Sequence, residues 1–124
     1  MKIYNGLAHE LTVFENSTYV PELRKWVGGN VVKILPKMKP MNVHTKSVYA
    51  GEIGGIPLFK RQILGAAKLP YGYDIYIVSA AYAAMYELLY AEPAELYVVS
   101  SNVYDIHGVH VLGCRGIQRY QASL

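Results

Sequence analysis

The sequence holds one cysteine, Cys114, and one tryptophan, Trp26, in 124 residues. A lone cysteine rules out an intrachain disulfide and any multi-cysteine metal site, and Cys114 reads as a small buried hydrophobe. No apolar run approaches the roughly 18 residues that a membrane-spanning helix needs. Nor does an apolar stretch follow Lys2, as it would in a signal peptide. The expectation is a cytoplasmic protein with no membrane partner. Internal repeats, low-complexity tracts and linkers are also missing, so residues 1–124 read as a single domain. There is no Walker loop, dinucleotide fingerprint or zinc-finger spacing. Gly51, Gly54 and Gly55 fall between strand-like runs rather than before a helix, the wrong context for a phosphate loop. No cofactor and no metal are expected.

Acidic residues are absent from 23–51, where Arg24, Lys25, Lys33, Lys37, Lys39 and Lys46 all fall. The chain's net charge is only +3, so this segment is a local feature. It is either a solvated face or a surface for nucleic acid.

What is abundant is apolar residues, 52% of the chain against 17% charged, which suits a packed globule. Tyrosine is especially frequent: there are twelve, and eight lie between Tyr71 and Tyr104. A tyrosine buries a large ring while keeping a polar tip, so it suits half-buried strands and interfaces. Many β-branched residues and few amides also fit a thermophilic source.

Short alternating, β-branched or continuously apolar runs predict strands at 3–4, 11–14, 31–35, 43–50, 56–64, 74–78, 96–100, 103–106 and 109–114. Gly54-Gly55 predicts a hairpin turn, and Pro57 implies that its strand either sits at an edge or starts after the proline. Residues 18–27 read as a loop or as a short helical turn opened by Pro21. The one clear helix spans about 79–90, dense in alanine and capped by Ser79. Two stripes run along it at helical spacing, Ala81-Met85-Leu88 and Tyr82-Tyr86-Leu89, and both suit a core. The resulting fold class is α+β, a strand-rich curled sheet or small barrel-like domain holding one helix. The run Leu96-Tyr97-Val98-Val99 is apolar on both faces. The helix covers one face, and a second copy would cover the other, which implies a homo-oligomer.

Three polar positions stand out from core packing. His9 beside Glu10 could act as a general base, although strand neighbours point to opposite faces and His9 could instead lock a turn. Ser79 sits where a strand meets a helix, so free N–H groups and the helix dipole favour an anion there. Arg115, if it lay nearby, could grip that anion as well. The junction is not a nucleophile elbow, since Ile77 and Ala81 stand where glycines would be needed. Asp105, His107 and His110 surround Gly108, which breaks the regular spacing a metal site would use.

Four segments carry a resemblance. They are Asn5-Gly6-Leu7-Ala8-His9, Gly51-Glu52-Ile53-Gly54-Gly55-Ile56-Pro57, Tyr76-Ile77-Val78-Ser79-Ala80 and Gly113-Cys114-Arg115-Gly116. Together they resemble a family of small uncharacterised proteins encoded by phages and prophages, which open on a motif like Asn-Leu-Thr-Pro-His. Here Gly6 is inserted and Ala8 replaces the proline. The resemblance implies a viral or mobile-element protein and brings no activity with it. The expected function is a viral accessory protein that binds a host or viral protein, or a small anion, at His9, Ser79 and Arg115. One alternative is nucleic-acid binding through the basic 23–51 segment, and another is a small enzyme using His9 as base.

Overall fold

The computed structural model describes residues 1–90 and 93–121. Ten strands and one helix follow one another as β1 (Ile3–Asn5), β2 (Leu11–Glu15), β3 (Thr18–Val20), β4 (Lys25–Val27), β5 (Asn30–Leu35), β6 (Val43–Ile53), β7 (Ile56–Ala66), β8 (Ile75–Ile77), α1 (Ala80–Leu89), β9 (Leu96–Tyr104) and β10 (Val111–Arg119). Eight strands form one curled, half-barrel sheet in the order β1-β8-β9-β10-β2-β5. β4 joins β9 beyond β8, and β3 flanks β4. β6 and β7 form a separate two-stranded sheet. The α+β class read from the sequence is the class observed.

The uninterrupted apolar run in β8 explains its central place. It pairs in parallel with β1 on one side and β9 on the other, and Ile75, Tyr76, Ile77 and Val78 are all buried. A strand covered on both faces needs no polar alternation. Tyr76 and Val78 face a layer with Tyr4, Met41 and Leu96, completed by Tyr82, Ala83 and Tyr86 of the helix. Ile77 faces the other way, into a smaller cluster with Leu11 and Cys114.

Several readings change. Residues 18–27 form neither a helical turn nor a loop but the β3–β4 hairpin, in which Tyr19 pairs with Trp26. Trp26 then pairs in parallel with Val103, and an edge contact between the Tyr19 and Trp26 rings at 5.2 Å adds to the hold. The runs at 96–100 and 103–106 merge into one strand, which ends at Tyr104 with 105–106 in the turn that follows. Ser101 takes a positive φ of 48° and kinks the strand without ending it. On the helix, the Tyr82-Tyr86 stripe is buried, but Leu88 at 73% and Leu89 at 45% are exposed.

Candidate functional site

The β6–β7 ribbon is the largest feature outside the packed body. Each strand has eleven residues, about 36 Å at roughly 3.3 Å per residue. At the root, Val43 and Ala66 pack against the helix-side core. Beyond the root nearly every residue is exposed. The tip is a two-residue turn with positive φ at Gly54 (57°) and Gly55 (80°), the geometry of a tight hairpin. Pro57 is accommodated because a two-stranded ribbon leaves each strand one open edge.

Side chains along the ribbon fall into two groups. Near the tip, Ile53 pairs with Ile56 and Tyr49 with Phe59. All four are 60–67% exposed, and the two rings meet edge-on at 6.0 Å. In the stem, Lys46 pairs with Gln62, Ser47 with Arg61 and Val48 with Lys60. Three cations thus occupy successive rungs, and Lys46 and Lys60 are diagonal neighbours on one face. Like charges so placed repel unless an anion lies between them.

Four tyrosine hydroxyls hold the connections around the root. Tyr4 Oη donates to the Lys39 carbonyl at 2.7 Å, Tyr90 Oη to Ala66 at 2.8 Å, Tyr76 Oη to Pro70 at 2.5 Å, and Tyr82 Oη to Ala67. The tyrosine excess therefore has a structural use. The rings fill the core beneath the ribbon, and the hydroxyls hold the carbonyls of Lys39, Ala67 and Pro70 in the connections and of Ala66 at the end of β7. Burial, followed by the neighbouring Tyr90, Tyr86 and Tyr4, pushes the Tyr82 hydroxyl up to about 12.

The residues singled out in the sequence each have their own partner. His9 is exposed, and its Nδ1 lies 2.7 Å from the Glu10 carbonyl; a carbonyl only accepts, so Nδ1 carries the proton. The His9 carbonyl in turn accepts from Asn5 Nδ2 at 3.0 Å. Ser79 Oγ accepts from the Tyr82 N–H at 3.1 Å, so Ser79 is the helix N-cap. Arg115 lays its guanidinium over the Trp26 indole, 3.5 Å from the ring centroid. These contacts lead to three different partners: a turn carbonyl, a helix N–H and an aromatic face. His9 and Glu10 also line an open cleft of about 650 Å³ with Asn102 and Leu112.

The six basic residues of 23–51 spread over several elements. Arg24 sits in the β3–β4 turn with φ 53°. Lys25 is held by the Gly108 carbonyl at 2.8 Å and lies over the Tyr104 ring at 4.5 Å. Lys33 is on β5, Lys37 and Lys39 are on the connection into the ribbon, and Lys46 is in its stem. Sequence reasoning missed Lys60 and Arg61, because Glu52 ends the acid-free run before them. The hairpin turn at 54–55 was the available signal, since it folds 60–61 back onto 46–48. Asp105 belongs to the β9–β10 turn. An N–H bond from Val109 at 2.9 Å is the main cause holding its carboxyl below the usual range. Among the described residues no group of three or more His, Cys, Asp or Glu is placed to hold a metal ion.

No known family, no curated protein and no solved structure matches this chain.

Proposed function

We propose that this protein binds double-stranded nucleic acid through the β6–β7 ribbon. The observation that carries the reading is a projecting two-stranded ribbon with a cationic stem and an apolar tip. A two-stranded ribbon is one of the two protein elements that fit a major groove. In that groove an apolar side chain can pack on the thymine methyl, and Ile53 and Ile56 are exposed at the tip for such contact. Charge supports the same partner. Residues 36–72 carry six Lys and Arg against Glu52 alone, a net +5, while the rest of the chain nets −2 within the total of +3. Phosphate neutralisation by such a stem supplies affinity without sequence preference. The role suits the mobile-element origin that the sequence resemblance implies.

The test is fluorescence anisotropy with a labelled duplex of about two helical turns. Binding is expected to weaken steeply with added salt. The triple variant Lys46→Glu, Lys60→Glu, Arg61→Glu is expected to bind at least about tenfold more weakly and to flatten the log K against log salt slope by about 3. Absence of binding at low salt, or binding that the triple variant leaves unchanged, overturns the reading. In that event the exposed tip belongs to a protein partner.

A further inference from the structure

A second site is independent of the ribbon's partner. Between the β7–β8 connection, the end of α1 and the start of β9 lies a cavity of about 250 Å³. Its walls include Tyr71, Tyr73, Tyr76, Tyr86 and Tyr90. This is where the tyrosine-rich segment of the sequence collects, and the proposed function does not use it. We infer that this cavity binds a small organic cation, a quaternary or methylated ammonium group.

The faces of phenol rings carry negative quadrupole density and attract a cation that has shed its water. Several rings set at angles form a better receptor than a flat stack. Here Tyr73 meets Tyr76 at 60° with centroids 6.0 Å apart, and Tyr86 meets Tyr90 at 40° and 5.1 Å. Two of the rings cannot turn freely, because Tyr76 and Tyr90 donate their hydroxyls to the Pro70 and Ala66 carbonyls. Such preorganisation lowers the ordering cost of binding.

Charge at the cavity agrees. Asp74 and Glu95 are among its lining residues. The Asp74 carboxylate accepts the Lys2 backbone N–H at 2.6 Å, and Glu95 pairs directly with Arg119 at 3.1 Å at the solvent-exposed rim. Lys68 already places its ammonium over the Tyr71 ring, 5.6 Å from the centroid, so a cation of the chain itself uses the rim in the way inferred for the ligand. A hard divalent ion would require six or more oxygens at short range, which ring faces do not supply. The volume lies just below the roughly 300 Å³ at which drug-sized sites begin, which suits a head group rather than a large molecule.

Choline and its uncharged isostere 3,3-dimethylbutan-1-ol separate charge from shape. Each is titrated into the unaltered protein and followed by amide chemical shifts at 71–76 and 94–96. Choline is expected to give saturable shifts there, and the alcohol to bind at least about tenfold more weakly. Tyr71→Ala, at a ring 75% exposed and so outside the core, is expected to weaken choline several-fold. Lys68→Met is expected to strengthen it by removing the competing ammonium. Equal affinity for choline and the alcohol, shifts located elsewhere, or no saturable shift at all overturns the inference.

Discussion

At the scale of single residues, Asn5 organises the N-terminal end of the sheet. Its side chain is 1% exposed. Nδ2 donates to the carbonyls of His9, Leu35 and Pro36 at 3.0–3.3 Å, and Oδ1 accepts from the Leu7 N–H at 3.1 Å. One amide thereby ties the first loop to the end of β5. Replacing it with alanine strands those groups away from water, so Asn5→Ala is expected to cost about 2–3 kcal/mol, read from the urea midpoint. A loss under about 0.5 kcal/mol would show that water replaces the amide. The Gly-Cys-Arg-Gly segment offers a second test with an internal control. A Cβ on Gly113 would run into the Thr12 carbonyl of the neighbouring strand, whereas one on Gly116 meets nothing within 4 Å. Gly113→Ala is therefore expected to lose about 2–3 kcal/mol by forcing β10 away from β2. Gly116→Ala should stay within about 0.5 kcal/mol, and equal losses would refute the close-approach argument. Between them, Cys114 is fully buried, and burial pushes its thiol up. Alkylation by iodoacetamide should accordingly follow unfolding rather than proceed in the native protein.

Elements are joined by the β8–α1 junction and by the tyrosines under the ribbon. Ser79 satisfies a first-turn N–H directly after the buried strand, so Ser79→Ala is expected to cost about 1 kcal/mol, measurable by thermal unfolding. The tyrosine hydroxyls make the same region sensitive to alkali. The Tyr82 hydroxyl titrates at about 12 in the folded protein against 10 for an ordinary tyrosine. Its stabilising contribution is complete below pH 10 and is lost as pH rises from about 10 to 12, because the unfolded chain releases that proton first. Tyr4 is raised too, by burial first and then by Tyr73, so it acts in the same direction. Stability measured from pH 8 to 12 should be level at first and then fall. In Tyr82→Phe the fall should be shallower, while stability at pH 8 drops by about 1–2 kcal/mol because the Ala67 carbonyl loses its donor. An unchanged alkaline slope in that variant would separate Tyr82 from the effect.

The whole molecule consists of a packed body with an arm that contributes little to it. Val43, Ala66 and Ala67 at the root touch the core, and beyond them the arm is solvent-exposed almost throughout. Excising residues 47–61 and joining Lys46 to Gln62 through Asn-Gly should leave the melting temperature within a few degrees, since those residues bury little apolar surface. Collapse of the body would mean that the arm is structural. Much of the body could be read from the chain. An apolar run followed by serine and alanines specified β8 and the capped helix locally, and Gly54-Gly55 specified the hairpin tip, because caps and tight turns depend on adjacent residues. The β3–β4 hairpin was not legible. Its turn has no glycine, with Arg24 taking the positive φ, and its stability comes from Val103 and Tyr104 on a strand distant in sequence. Nor could the sequence place His9, Ser79 and Arg115 against their separate partners, since side-chain contacts across elements leave no periodic trace. The sparse cysteine, the acid-free stretch and the tyrosine excess were fixed by composition. Alternation in β6 and β7 looks the same in a sheet strand and in a free ribbon. Only tertiary structure decided that, among the described residues, no third strand joins them, because pairing depends on which distant edges the packed core leaves open.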